Sequence, residues 1–395
     1  MNKWITSLFA VALTSTVAFA DVAAPAVSAK DLEKVVDEAI YVETNTKGVV
    51  LSGYVDAGYM YNFQGAGQPG VSASDNTARG DFSLNAFKLT LQKSLSDANE
   101  FQAGFRADVK IGEDANNLSG NGAVGSSDTI SLDQAYVIVR APIGNGLDIS
   151  VGKFYSLLGY EVDDRPANLN ITFGYDYFFA TTHQTGVKLY YPVNDIIELQ
   201  VAITNGSSLD SNSANLGGVA DSSTDGYGAS ATINIKAPGG NANWFHGVYG
   251  SSGAADGFTT ENEGVFMYNT WGNWAPKFAN DKLLLGFSAI LADVNDATVG
   301  GEGYTYVTGS LYAKYQFTDI FSLAGRGSYL HSDSGLGIPS AFDGNLSADA
   351  YSWTLTAGFN LLENLLVRAE YRIDLADEST NGIANTVSAQ VVYTF

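Results

Sequence analysis

Leu365-Leu366-Val367-Arg368-Ala369-Glu370-Tyr371-Arg372-Ile373-Asp374-Leu375 alternates apolar and polar side chains along its length. A period of two belongs to a β-strand, whose successive side chains point to opposite faces. One face of this stretch carries Val367, Ala369, Tyr371 and Ile373, and the other carries Arg368, Glu370, Arg372 and Asp374. A single such strand fits any half-buried sheet, so the architecture is decided by repetition. Phe101 to Ile111 and Ile197 to Ile203 repeat the pattern. About sixteen runs match this alternation. They lie near 49–62, 82–94, 99–111, 129–141, 146–156, 183–192, 196–205, 226–237, 243–250, 263–275, 282–292, 303–317, 319–331, 348–361, 364–376 and 384–395. The pattern is weakest at 243–250 and 263–275.

The links between runs alternate between long and short. Long links rich in Gly, Ser, Asn and Asp cover 63–81, 112–128, 157–182, 206–225, 251–262, 293–302, 332–347 and 377–383. Tight turns such as Pro142 to Gly146, Pro192 to Asp195 and Glu363-Asn364 separate them. Outer-membrane barrels have an even strand number, short periplasmic turns and long external loops. From a periplasmic start, every long link here falls outside. The sequence therefore predicts an all-β, transmembrane antiparallel β-barrel of about sixteen strands over residues 48–395. The last run ends in Tyr393 and Phe395, a terminal aromatic pattern expected to serve as the insertion signal for barrel-assembly machinery.

Composition agrees. Among 395 residues, Gly numbers 43, Tyr 22 and Phe 21, while charged residues make up only 16%. Aromatic residues suit strands and glycine suits their turns. The formal net charge of −22 excludes nucleic acid, which needs a basic face. The lack of cysteine excludes disulfides, thiolate metal sites and a cysteine nucleophile. Residues 1–20 have the form of a signal peptide: Lys3, an apolar stretch from Ile5 to Leu13, and Ala18-Phe19-Ala20 as the cleavage site. Residues 21–47 are expected to form a periplasmic appendage, with Ser28 capping a short helix that carries Leu32, Val35, Val36, Ala39 and Ile40. No later stretch approaches the ~20 apolar residues of a membrane helix.

A closed sheet of this size leaves an aqueous channel. Arg106, Asp108, Lys110, Arg140, Lys188, Arg326, Arg368, Glu370 and Arg372 fall on the polar parity and are expected to line it. The longest link, 157–182, holds Tyr160, Glu161, Asp163, Asp164, Arg165 and Asp176, with aromatics from Phe173 to Phe179. A long loop this apolar is expected to fold into the lumen and constrict it. Its acids would then either face the wall bases as a transverse field or find those bases tied up in salt bridges that hold the wall. Aromatic girdles are expected at both rims. Tyr59, Tyr61, Phe63, Tyr304, Tyr306, Tyr329, Tyr351 and Trp353 would lie outside, with Tyr191, Trp274, Phe317, Phe321, Tyr393 and Phe395 below.

Several motifs carry a family likeness. Leu51-Ser52-Gly53-Tyr54-Val55-Asp56-Ala57, Gln134-Ala135-Tyr136-Val137, the stretch from Gly152 to Glu161 and Thr185-Gly186-Val187 resemble the OmpL-like β-barrel porin family, also called β-barrel porin-2. The resemblance runs from about Val49 to the C-terminus and is strongest between 130 and 190. It implies a porin of the Gram-negative outer membrane and supplies no catalytic residues.

Catalysis finds little support. The three histidines are His183, His246 and His331, and no G-x-S-x-G elbow exists. His331, Asp333 and Ser334 lie close together but in a Gly/Ser-rich link. Glu113-Asp114 with Asn116 and Asn117, and Asp374 with Asp377 and Glu378, offer oxygen ligands without EF-hand spacing. No metal or other cofactor is expected. The expected function is passive diffusion of small hydrophilic solutes and ions, mildly favouring cations because the outer links are acidic. The competing expectation is a structural or adhesive barrel with a closed lumen and partner- or cation-binding loops. Expected partners are outer-membrane lipid, the barrel-assembly machinery and the permeating solutes. A homotrimer suits this size, although no motif marks one.

Overall fold

A computed structural model describes residues 48–63, 80–117, 130–205, 227–252, 264–280, 282–295, 304–333, 348–376 and 383–395. The expected leader (1–20) and nearly all of the expected appendage (21–47) lie outside the described residues. The described chain forms sixteen strands in one closed barrel. They are β1 (Val50–Asn62), β2 (Gly80–Lys93), β3 (Gln102–Ile111), β4 (Ile130–Ala141), β5 (Leu147–Tyr155), β6 (His183–Pro192), β7 (Ile197–Asn205) and β8 (Tyr227–Lys236). Then come β9 (Ala242–Ser252), β10 (Gly264–Trp274), β11 (Leu283–Asn295), β12 (Tyr304–Gln316), β13 (Phe321–Ser332), β14 (Ala348–Leu362), β15 (Leu365–Ala376) and β16 (Ile383–Thr394). Among the described residues two short α-helices, α1 (Glu113–Asn117) and α2 (Tyr175–Phe178), and two 3-10 turns, Arg165–Ala167 and Lys277–Ala279, interrupt the links. Each strand pairs antiparallel with its neighbours in sequence, and β1 closes on β16. The two weakest runs of the sequence are β9 and β10, which pair in unbroken register.

The barrel closes where β1 pairs with β16 from Tyr54 opposite Thr394 to Asn62 opposite Thr386. Gly53 and Phe395 exchange two backbone hydrogen bonds, each 3.0 Å. A side chain at Gly53 would place its Cβ 2.1 Å from the Lys88 carbonyl oxygen and 2.8 Å from Cζ of Phe395, so only glycine fits.

The two faces of the sheet are inverted relative to a water-soluble protein. In β7, Leu199, Val201 and Ile203 are exposed, Ile203 to 62%, while Glu198, Gln200, Ala202 and Thr204, which alternate with them, are buried. Exposed apolar rows on strands all around a closed barrel need a lipid solvent, and closure leaves no unpaired edge in it. Among the described residues no helix is long and apolar enough to cross a membrane. The apolar core lies inside the barrel, where Leu158, Tyr175 and Phe179 of the link 157–182 pack with Met267, Ile290 and Leu330 of the inner wall. Tyr306 belongs to this core rather than to the outer girdle. It is fully buried, and its hydroxyl donates to the Phe179 carbonyl at 2.8 Å. Tyr351, Trp353, Trp274, Phe317, Tyr393 and Phe395 are exposed, as a girdle requires.

Two bulges re-aim inward side chains. Asp108 faces Gln134 and Val109 faces Leu132, so Asp133 is an extra residue in β4. Asp133 and Gln134 are consequently both buried. Asn85 is the matching extra residue in β2, and its Nδ2 donates to Asp56 Oδ1 at 2.9 Å.

Candidate functional site: a loop across the lumen

The link 157–182 leaves β5, crosses the barrel and returns to β6. Its first arm docks on a buried ionic cluster. Asp164 lies 2.8 Å from Lys88 Nζ and accepts from the Tyr54 hydroxyl at 2.9 Å. Asp163 pairs with Lys110 and accepts from the Tyr177 hydroxyl at 2.7 Å. Asp133, delivered by its bulge, lies 2.9 Å from Lys88 and 3.3 Å from Lys110. The His183 Nε2–H donates to Asp133 at 3.0 Å, since its partner is a carboxylate. Tyr155 donates to Asp133 at 2.6 Å and receives a bond from Lys88 at 2.8 Å. Burial pushes the Asp163 carboxyl above its ordinary value despite Lys110. Burial also acts upward on Asp164, but the ammonium groups of Lys88 and Lys110 outweigh it and hold this carboxyl low. Ligand atoms of Asp133, Asp163 and His183 lie within 4.8 Å of one another. The cation these carboxylates face is an ammonium group, which also repels a metal ion.

Arg165 makes the second anchor. Its Nε donates to Asp114 Oδ2 of α1 at 2.8 Å, and its guanidinium lies 4.9 Å from the centre of the Phe173 ring. Asp114, considered above as a cation ligand, is thus neutralised by an arginine.

The middle of the loop reaches the opposite wall. In a ring of sixteen strands, β13 lies diametrically across from β5. Arg326 of β13 donates to Glu161 at 2.7 Å and to the Thr172 carbonyl at 2.5 Å. Glu370 of β15 accepts from the amides of Ile171 (2.6 Å) and Thr172 (3.0 Å). Arg368 donates to the carbonyls of Asn168 (2.7 Å) and Arg165 (3.0 Å). Arg372 donates to the Phe173 carbonyl at 2.5 Å and to Asp374 at 2.9 Å. Asp176 accepts from Ser310 and from the Tyr312 hydroxyl at 3.2 Å, and Tyr160 stacks on Tyr312 with ring centres 4.3 Å apart. Burial raises the Glu161 carboxyl to about 7, against the lowering pull of Arg326.

The remaining sequence candidates sit elsewhere. Arg140 pairs with Asp148 on the adjacent strand at 2.7 Å. Arg106 pairs with Asp108 at 3.0 Å. Lys188 lies 4.4 Å from the centre of the Phe154 ring and 5.3 Å from that of Tyr136. Of the bases expected to line the lumen, Lys110 and Arg326 make ion pairs with loop carboxylates among the described residues, and Arg106, Arg140, Lys188, Arg368 and Arg372 do not. Lys88 and Asp133 carry no expectation from sequence, and His183, Tyr54 and Tyr155 appear there only as a histidine and as motif residues, yet all five hold the first arm. Lys88 was legible, since it stands between Phe87 and Leu89 on the polar parity. His331 pairs with Asp349 at 2.9 Å, and Asp333 accepts from the Thr305 amide at 2.7 Å, so the two do not form a base–orienter pair. Ser334 lies outside the described residues.

Solved structures of outer-membrane proteins share this fold. The channel DcaP of Acinetobacter baumannii is 14% identical, with a TM-score of 0.63 over 90% of this chain and 100% of that one. OmpF of Salmonella typhi, solved with daunomycin, is 12% identical, with a TM-score of 0.61 over 90% and 100%. OmpT of Vibrio cholerae in its trimer form is 11% identical, with a TM-score of 0.54 over 88% and 99%. Such identities establish the fold alone. No curated protein matches in sequence. The family model for beta-barrel porin-2, OmpL-like, matches residues 48–395, the whole barrel from its first strand to Phe395. With that match on a closed sixteen-stranded barrel whose outer face is apolar, the chain belongs to this porin family and is an outer-membrane channel.

Proposed function

We propose that the protein is a passive diffusion channel for small hydrophilic solutes and ions, narrowed by the loop 157–182 and mildly favouring small inorganic cations. The observation that carries this reading is the polar inner wall, bonded to a loop that spans it from Asp163 to Asp176. In this proposal Arg106, Asp108, Lys110, Arg140, Lys188, Arg326, Arg368, Glu370 and Arg372 line the lumen, and Tyr160, Glu161, Asp163, Asp164, Arg165 and Asp176 form the constriction. The wall arginines act mainly as clamps on the loop, because their donors are spent on its carbonyls. Cation preference follows from the acidic outer links, which would concentrate cations at the mouth at low salt. Lipid covers the outer face, barrel-assembly machinery inserts the chain through Tyr393 and Phe395, and three copies form the assembly, by analogy with the trimer form of the Vibrio protein.

One observation favours the second reading, a structural or adhesive barrel with a closed lumen: Lys110, Arg326 and Arg372, which project from the wall, are at most 2% exposed. Single-channel recording of the refolded protein in a planar bilayer, under a salt gradient, decides between them. Stable steps with a reversal potential favouring cations support the diffusion channel. Steps favouring anions remove the charge argument, and silence from verified folded barrels establishes the closed reading.

A further inference from the structure

We infer that solutes pass along the inner wall of β6, β7 and β8, between that wall and the loop, and that this seam favours uncharged polyhydroxy solutes. The inference rests on the channel reading above. Its first ground is where the loop is not attached. The loop's hydrogen bonds reach β1, β2 and β3 on one side and β10, β12, β13, β14 and β15 on the other. Among the described residues none reaches β7 or β8. Separating the loop from this wall breaks no hydrogen bond to those two strands.

The second ground is what the wall leaves unsatisfied. Both amide atoms of Gln184, Oε1 of Gln200, Oγ1 of Thr204, Oγ of Ser230 and Oδ1 of Asn234 are buried with no hydrogen-bond partner. These five side chains share three adjacent strands. Gln200 stands beside Thr232, Ala202 beside Ser230 and Glu198 beside Asn234, so the stripe runs from near the periplasmic end to Thr204 near the outer one. A buried polar group left unmet is destabilising, and each such group calls for an explanation. A passing file of water or solute hydroxyls would satisfy all five. The third ground is a cavity of about 30 Å³ between the two arms of the loop, from Tyr155 to Asp163 and from Tyr177 to Thr182, which touches this wall at Gln200 and β9 at Phe245. It has room for a water or two.

The solute class follows from the donors and acceptors. The unmet groups are amides and hydroxyls, the partners of a sugar alcohol. Glu198, at the lower end, is already neutralised by Lys236 and bonded by Asn234 at 2.7 Å. β6, β7 and β8 carry no carboxylate other than Glu198, so nothing along the stripe holds an organic cation.

The chain has no cysteine, so single introduced thiols report access directly. Thr204→Cys and Ser230→Cys test the seam. Ser328→Cys, bonded to Ser310 beneath the loop, is the control site. Each variant is scored after it conducts in a planar bilayer, which certifies folding. Hydroxyethyl methanethiosulfonate should then lower conductance stepwise in the first two and leave the third unchanged. Block at Ser328→Cys, block at all three or block at none overturns the seam while the channel stands. An unmodified protein that never conducts removes the channel itself. In liposome swelling, sorbitol should enter faster than gluconate or N-methylglucamine, which share its carbon chain. Faster or equal entry of either charged analogue overturns the solute class.

Discussion

Glu161 concentrates the opposing forces at the scale of a residue. Arg326 and the Gly174 amide donate to its two oxygens at 2.7 and 2.6 Å, which favours the anion. Burial and the nearby Asp176 favour the neutral acid and prevail, raising the carboxyl from 4.5 to about 7. The folded barrel therefore holds a proton that the unfolded chain has released. This contribution to stability is fully present below pH 4.5 and is lost as pH rises through about 7. At about 1.36 kcal/mol per unit, its upper bound is about 3 kcal/mol. Glu161→Gln has no proton to release there. Urea unfolding of both proteins in detergent micelles across that pH range should show the difference between them changing most between pH 4.5 and 7, with the parent protein losing relative stability. Parallel curves would remove the raised carboxyl from the account.

At the scale of an element, the loop 157–182 behaves as a beam fixed at several points. Its middle is held by wall arginines that bond main-chain carbonyls, so the geometry depends little on which loop side chains stand there. Replacing Arg326 and Arg372 by methionine strips the Thr172 and Phe173 carbonyls of these donors and leaves Glu161 and Asp374 without their arginines. Removing one partner of a buried pair costs about 3–5 kcal/mol. The double variant should unfold at lower urea and show larger, noisier single-channel steps, because the beam is released on one side. Unchanged steps in a destabilised barrel would mean that the loop does not limit the pore.

The strands that this loop leans on were legible because a membrane barrel imposes lipid on every second residue, and all sixteen runs became strands of the barrel, even the weak ones that became β9 and β10. The loop's inward fold was also legible, since Phe173 to Phe179 is too apolar for solvent. Its partners were not. Glu161 and Arg326 are 165 residues apart, and nothing local pairs them. Asp133 was hidden for another reason: its bulge places two consecutive polar residues inward, and a strict alternation passes over the extra one. Tyr306 was misplaced because strand parity and aromatic girdles make the same residue type plausible on either face.

At the scale of the whole molecule, the barrel exists only if its two ends meet, and Phe395 contributes to this in two separable ways. Its main chain exchanges two hydrogen bonds with Gly53, and its ring stacks on Phe87 with centres 6.4 Å apart while remaining half exposed. The ring is therefore a modest contributor to folded stability and a good candidate for recognition before folding. Phe395→Ala keeps the backbone pair. It should refold in detergent to the heat-modifiable form at close to the parent yield, yet reach the outer membrane of cells poorly. Gly53→Ala acts on the opposite strand, where its Cβ would meet the Lys88 carbonyl at 2.1 Å, a backbone atom that cannot yield cheaply. That variant should fail in both settings, because closure itself is obstructed and the edges of β1 and β16 would face lipid unpaired. Equal failure of both variants in detergent would show that the ring is needed for closure. Normal delivery of Phe395→Ala in cells would show that the assembly signal lies elsewhere in β16.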